Sequence, residues 1–179
     1  RFEAPGTLRI GDERLSAPQV FLNVGGRAAT PDIPGLDTIP WLTNTSILAL
    51  DRVPRHLLIV GGSYIGLEYA QMHRRFGAEV TVVETGPRVI GREDDDVSAA
   101  VREILEAEGI DIRTGVDDIA FARDGDAIAA TIDGDRVACS HVLVAAGRVP
   151  NTADLGLDKA GVDVDERGYI VVDDELRTS

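Results

Sequence analysis

The residue types and spacings that could do chemistry fall in one stretch, Val60-Gly61-Gly62-Ser63-Tyr64-Ile65-Gly66, with Glu84 eighteen residues beyond Gly66. An apolar run, Leu57-Leu58-Ile59-Val60, leads into it and an amphipathic segment leaves it. A strand, a glycine turn, a helix and a second strand ending in an acid form the order that grips a dinucleotide. The turn lets backbone N–H groups and the helix N-terminus face a pyrophosphate, and the acid takes ribose hydroxyls. Gly61 is expected to end the strand in a tight turn, and Gly66 to let the helix pack closely on it. The middle glycine of G-x-G-x-x-G is Ser63 here, whose hydroxyl is able either to donate to a phosphate oxygen or to narrow the approach. A carboxylate at Glu84 accepts hydrogen bonds from both ribose hydroxyls and repels a 2′-phosphate. Arg88, the first basic residue after it, lies four positions on. The pattern therefore favours NAD(H) over NADP(H), against the plainer reading of Glu84 as a solvated strand-end acid.

The other candidates are weaker. Glu68, two residues after Gly66, reads as an acid in the first helical turn, where the helix dipole favours it. Tyr64 reads as an exposed first-turn ring, His73 as a helix-surface residue, and His56 and His141 as flanking strands. No nucleophile–base pair and no metal-ligand cluster is legible, and a single cysteine, Cys139, allows no internal disulfide. Such a thiol beside a strand is expected to be a small buried side chain.

The elements that must position the glycine turn follow from periodicity. Residues 7–16 read as a hairpin, and 19–24 as a further strand. Residues 31–56, with Pro31, Pro34, Pro40 and Pro54, read as a connecting arm with one short helix over 45–50 capped by Asn44 or Thr45. Residues 57–60 read as a strand buried on both faces of a parallel sheet. Residues 64–76 read as a helix with Ile65, Tyr69, Met72 and Phe76 on its apolar face, stopped by Gly77. A strand over 79–83 follows. A helix over 97–108, with Asp95 or Asp96 as its N-cap, is stopped by Gly109, and a strand over 110–113 follows. Asp124-Gly125-Asp126 and Asp133-Gly134-Asp135 turns make residues 119–137 an antiparallel meander. Residues 141–145 read as a strand that rejoins the parallel sheet, apolar from Val142 to Ala145. The expected fold is α/β: a Rossmann-like three-layer ββα domain with a parallel sheet and an antiparallel β-meander as its last crossover.

A net charge of −13, from 18 basic and 31 acidic residues, repels nucleic acid and anionic membranes, so both are discounted as partners. No apolar run has the length of a membrane span and no signal peptide is visible, which points to a cytoplasmic protein. The chain opens on Arg1 rather than Met, which suggests a piece of something longer.

Residues 57–68 resemble the second glycine motif of the pyridine nucleotide-disulfide oxidoreductases, the family of dihydrolipoamide dehydrogenase, glutathione reductase and mercuric reductase. Val80-Thr81-Val82-Val83-Glu84, Ala145-Ala146-Gly147-Arg148-Val149-Pro150-Asn151-Thr152, and Gly168-Tyr169-Ile170 with Asp173 and Thr178 are similar to the same family in the same order. The arm and first helix lean toward its mercuric-reductase-like branch. The resemblance implies an NAD(P)H-binding domain over 41–147, flanked by FAD-domain segments over 1–40 and 148–179. It implies that Tyr64 covers the nicotinamide pocket, that Glu68 lies near the carboxamide, and that Gly147 allows close approach of the cofactor. With Gly61, Gly62, Ser63, Ile65, Gly66 and Glu84 these complete the expected cofactor-binding set. The parent protein is expected to be a homodimer that passes hydride from NAD(P)H to FAD. The N-terminal FAD glycine motif and the redox cysteine pair are absent here, so this chain alone is expected to be inactive, and its electron acceptor is not legible. The alternatives are a free-standing NAD-binding module without redox chemistry and a scaffold that keeps the Rossmann shape for protein contacts.

Overall fold

A tight Gly11-Asp12 turn, with Gly11 at φ +60°, folds the start of the chain into the expected hairpin. In the computed structural model, which describes all 179 residues, β1 (Phe2–Ala4), β2 (Thr7–Ile10) and β3 (Glu13–Ser16) form a three-stranded antiparallel sheet. β4 (Gly26–Ala28) follows. The strand expected over 19–24 does not form: the segment has no strand beside it, and Phe21 is exposed. The short helix expected over 45–50 is a single 3₁₀ turn, Ser46–Ala49. Neither Asn44 nor Thr45 caps it. Instead the Thr43 hydroxyl accepts from the Thr45 and Ser46 amides, and Ser46 Oγ accepts from the Thr43 amide.

From here the elements follow the expected order: β5 (His56–Val60), α1 (Tyr64–Arg75), β6 (Glu79–Glu84), α2 (Asp95–Ala107) and β7 (Asp111–Thr114). The meander is β8 (Ile119–Asp124), β9 (Ala127–Ile132) and β10 (Asp135–Cys139), and β11 (His141–Val144) rejoins the first sheet. That sheet is parallel in the order β11-β5-β6-β7, with Val144 beside Val60 and Val60 beside Val83. The chain closes with β12 (Arg148–Pro150) and the short α3 (Leu157–Ala160). The helix α2 starts at Asp95, two residues earlier than expected, with Asp94 as N-cap in place of Asp95 or Asp96.

Ala28–Gly147 is one compact unit and Arg1–Arg27 with Arg148–Ser179 another. In the first, strand alternation builds two cores. Leu57, Ile59, Val80, Val82 and Leu143 pack with Leu67 and Ala70 of α1 and Leu105 of α2. Leu58, Val60, Val83, Val142 and Val144 pack with Phe121, Ile128, Ala130 and Ile132 of the meander. This is the three-layer ββα arrangement, and it explains the unbroken apolar run of β5: both faces are covered. Leu36 and Ile39 of the arm also lie in the meander-side core. In the second unit, the Asn151 side chain donates to the Val24 carbonyl and accepts from Arg27, while its amide donates to the Gly25 carbonyl, stitching 24–27 to 148–151.

Cys139 lies in the meander-side core at 1% exposure, and burial pushes its thiol up to about 11. A raised folded-state value contributes stability below the unfolded thiol's ordinary value and loses it as pH rises toward about 11. Stability is therefore expected to decline on that alkaline limb, and Cys139→Ala to flatten it. A thiol reagent at pH near 8 should label the protein only after denaturation. Rapid labelling of the native protein contradicts this packing.

Candidate functional site

The C-terminal edge of a parallel sheet collects the chain ends of adjacent strands, and here it gathers the predicted positions Gly61, Glu84 and Gly147. The strand order reverses at β5, with β11 on one side and β6 on the other, and such a switch point opens a crevice between β5 and β11. Gly61 leaves β5, Glu84 ends β6, and Ala145 to Gly147 leave β11 at this edge.

Gly61 has φ +115°, and a Cβ there would lie 2.5 Å from the Ala145 carbonyl oxygen. Gly66 meets a harder limit: its Cβ would sit 2.0 Å from the Gly61 carbonyl oxygen. Backbone on both sides means that neither clash is relieved by a side-chain rotation. At Gly62 a Cβ would lie 2.9 Å from Glu84 Cβ. Ser63 needs no glycine. Its φ of −91° and ψ of 178° are ordinary extended values, which is why serine stands at the middle position.

Gly66 also sets the rotation of α1. Gly66, Leu67, Ala70 and His73 face inward, whereas the expected stripe of Ile65, Tyr69, Met72 and Phe76 lies one residue behind, with Phe76 61% exposed. His73 is accordingly buried at 6% rather than on the surface; its Nδ1–H donates to the Tyr69 carbonyl at 2.9 Å. His56 is buried too: its Nδ1–H donates to the Ala138 carbonyl, and its Nε2 is hydrogen-bonded to the Thr81 hydroxyl at 3.0 Å. Each is a structural histidine. Burial first, then the positive charges of Arg52 and His73, lower the His141 value.

Glu84 is held by the main chain at both oxygens. The Gly62 amide donates to Oε2 at 2.6 Å and the Gly86 amide to Oε1 at 2.7 Å. A carboxylate has lone pairs to spare after two such bonds, so a fixed acceptor remains beside the glycine turn. Gly86, Ile90 and Ala145 adjoin this turn, and sequence reasoning did not single them out. The Ile90 amide donates to the Gly62 carbonyl at 2.8 Å, with Ile90 itself at φ +40°, unusual for a β-branched residue. The Gly86-Pro87 pair in the sequence is itself a turn signal for this loop; nothing in the sequence signals Ile90.

The two helices differ at their N-termini. In α2, Asp94, Asp95 and Asp96 supply negative charge to the positive end of the helix. In α1, Ser63 makes no capping bond and no acid occupies the first turn. Glu68 is not in the first turn, as expected from sequence, but in the second, because the helix starts at Tyr64. The α1 terminus thus carries neither a side-chain cap nor an acid, the arrangement that suits an anion. Tyr64, 61% exposed, and Glu68 border an open apolar groove of about 330 Å³ with Leu67, Gln71, Ile90 and Ile104. That groove runs between α1 and α2, beside the glycine turn rather than at it. Gly147 has φ +120° and open space where a Cβ would project, so its conformation and not crowding calls for glycine.

Residues 2–179 match the model of the pyridine nucleotide-disulphide oxidoreductases. A mercuric reductase of Streptomyces lividans is 41% identical over 172 residues, covering 94% of this chain and 36% of that protein. A dihydrolipoyl dehydrogenase of Thermus scotoductus is 33% identical over 187 residues, covering 100% of this chain and 40% of its own length. The solved structure of the HOCl-induced flavoprotein disulfide reductase RclA from Escherichia coli superposes with a TM-score of 0.89 at 35% identity, over 99% of this chain and 41% of that one. The chain thus spans between a third and a half of the length of these relatives.

Gly66→Ala is expected to destabilise the protein by roughly 1–3 kcal/mol, as overpacking against rigid surroundings does. Ser63→Gly should stay within about 0.5 kcal/mol of the parent, as a substitution of an exposed residue does. Urea unfolding of both variants checks the pair, and a Gly66→Ala protein as stable as the parent contradicts the close contact.

Proposed function

The chain belongs to the pyridine nucleotide-disulphide oxidoreductase family, and we propose that residues 28–147 bind the nicotinamide nucleotide of such an enzyme, with NAD(H) preferred over NADP(H). The observation that carries this reading is the Glu84 carboxylate, fixed by the Gly62 and Gly86 amides beside a glycine turn that opens α1. A pyrophosphate at the α1 N-terminus would accept from first-turn amides, with the Ser63 hydroxyl as a further donor. The adenosine ribose would then donate to Glu84, whose charge opposes a 2′-phosphate.

The nicotinamide, when bound, supplies a hydride; the protein's part is to bind, orient and exclude water. Gly147 follows the end of β11 at the same sheet edge as Gly61 and presents no side chain to a nucleotide; Tyr64 and Glu68 are assigned to the nicotinamide end. The whole protein is proposed to be a homodimeric FAD-dependent oxidoreductase. The buried, high-pKa Cys139 offers no thiolate for a dithiol step, so this chain's own contribution is nucleotide binding.

Isothermal titration tests the reading. NADH is expected to bind and NADPH to bind at least about tenfold more weakly, the discrimination of one charged contact. Gly61→Val should abolish binding. Glu84→Gln should weaken NADH binding, because an amide NH₂ must then face either the Gly62 or the Gly86 N–H. Tight NADPH binding with no NADH signal overturns the nucleotide preference. Unchanged NADH affinity in both variants overturns the site.

A further inference from the structure

Arg88 is the basic residue nearest in sequence to the ribose acid, and the structure gives its path. Glu84 Oε1 and the Arg88 carbonyl oxygen lie 3.2 and 3.7 Å from one point, the place a Cβ on Gly86 would occupy. The Arg88 main chain therefore runs beside the carboxylate, close enough for its long side chain to reach a phosphate there. Its guanidinium is turned elsewhere. Nη1 donates to Asp95 in the first turn of α2, and Nη2 donates to the carbonyls of Gly91 and Glu93 at 3.2 Å each. Nε is buried without a hydrogen-bond partner.

We propose that Asp95 is a specificity-determining residue: by pinning Arg88 to the N-terminus of α2 it withholds a cation whose main chain runs beside Glu84 from a 2′-phosphate there. The proposal rests on the nucleotide reading above. An arginine binds phosphate through paired charge-assisted bonds that outcompete its bonds to neutral carbonyls. The carboxylate of Asp95 is the one charged group holding it in its present place. The Asp95 side chain is 85% exposed, so its ion pair with Arg88 is solvent-screened and removable without disturbing the core. Discrimination against NADP(H) is then double: Glu84 repels the 2′-phosphate, and Asp95 keeps its counter-charge away. The rest of the loop does not depend on the pair. The Val89 carbonyl accepts from buried Ser98, and Ile90 is tied to Gly62.

The test measures dissociation constants of the full chain for NADH and NADPH by isothermal titration in the wild type, Asp95→Ala, Asp96→Ala and the Asp95→Ala/Arg88→Met double variant. Asp95→Ala is expected to lower the NADPH-to-NADH ratio of dissociation constants by about tenfold, the worth of one charge-assisted hydrogen bond. The double variant should return the ratio to its wild-type value. Asp96→Ala removes the same charge from the same helical turn and should leave the ratio unchanged, which separates release of Arg88 from a general loss of negative potential. Should Asp95→Ala fail to fold, by circular dichroism, Asp95→Asn takes its place with the same expectation. An unchanged ratio in the Asp95 variant, or an equal fall in Asp96→Ala, overturns the proposal while NADH binding stands. Absence of NADH binding in the wild type overturns the nucleotide reading and this proposal with it.

Discussion

The contact between Gly66 and the carbonyl of Gly61 is the constraint on which the rest of the site depends. A methyl group at residue 66 would sit 2.0 Å from that oxygen, so α1 can approach the end of β5 only with this position facing inward. Once it does, the helical repeat leaves no choice for the remainder. Leu67, Ala70 and His73 are carried into the interior, Tyr64 and Glu68 are carried outward, and Phe76 is left exposed. The same contact brings the first α1 amides over the turn between β5 and the helix. A single missing Cβ therefore determines both the packing of the helix and the direction of its positive end.

A second constraint couples this turn to the adjacent strand. Glu84 is bonded to Gly62 on one side and Gly86 on the other, and Ile90 returns a bond to the Gly62 carbonyl. Gly62 thus uses both its amide and its carbonyl to hold the β6–α2 loop. The acid is part of that loop's framework before any ligand arrives, which lowers the ordering cost of binding in the proposed site. The contrast between helices fits the same division of labour. The N-terminus of α2 is neutralised by its own aspartates, one of which holds Arg88, whereas that of α1 is left without a cap or an acid.

Much of this was legible in the sequence. Strand β5 announced itself through four consecutive apolar residues because a strand covered on both faces has no polar positions to offer. The meander was marked by its two Asp-Gly-Asp turns, and the glycine turn and Glu84 by type and spacing. What failed to show had specific causes. The phase of α1 is not legible in its sequence because its apolar stripe and its buried face differ by one residue, and the deciding interaction is a backbone clash that hydrophobicity does not record. The burial of His73 has the same cause. Residues 19–24 have strand-like composition, but a strand needs a ladder of backbone bonds to a neighbour, and they join none. The Thr43–Ser46 box takes the place of the expected cap: the Thr43 hydroxyl accepts from the Thr45 and Ser46 amides, earlier in the chain than a cap at Asn44 or Thr45 would act. Ile90 adopts a backbone conformation that its side chain disfavours, held there by its bond to Gly62, so no propensity could have foretold it. The path of Arg88 depends on a partner seven residues on, across that bend.

The central claim, that the Gly61–Gly66 turn and Glu84 together grip a dinucleotide, is tested most directly by following backbone amides during an NADH titration with ¹⁵N-resolved NMR. The account predicts that the amides of Gly61, Gly62, Ser63, Tyr64, Gly86 and Gly147 shift in a saturable way, while those of the meander strands β8 to β10 stay in place. Saturable shifts confined to the meander, or none at the glycine turn at saturating NADH, would contradict it.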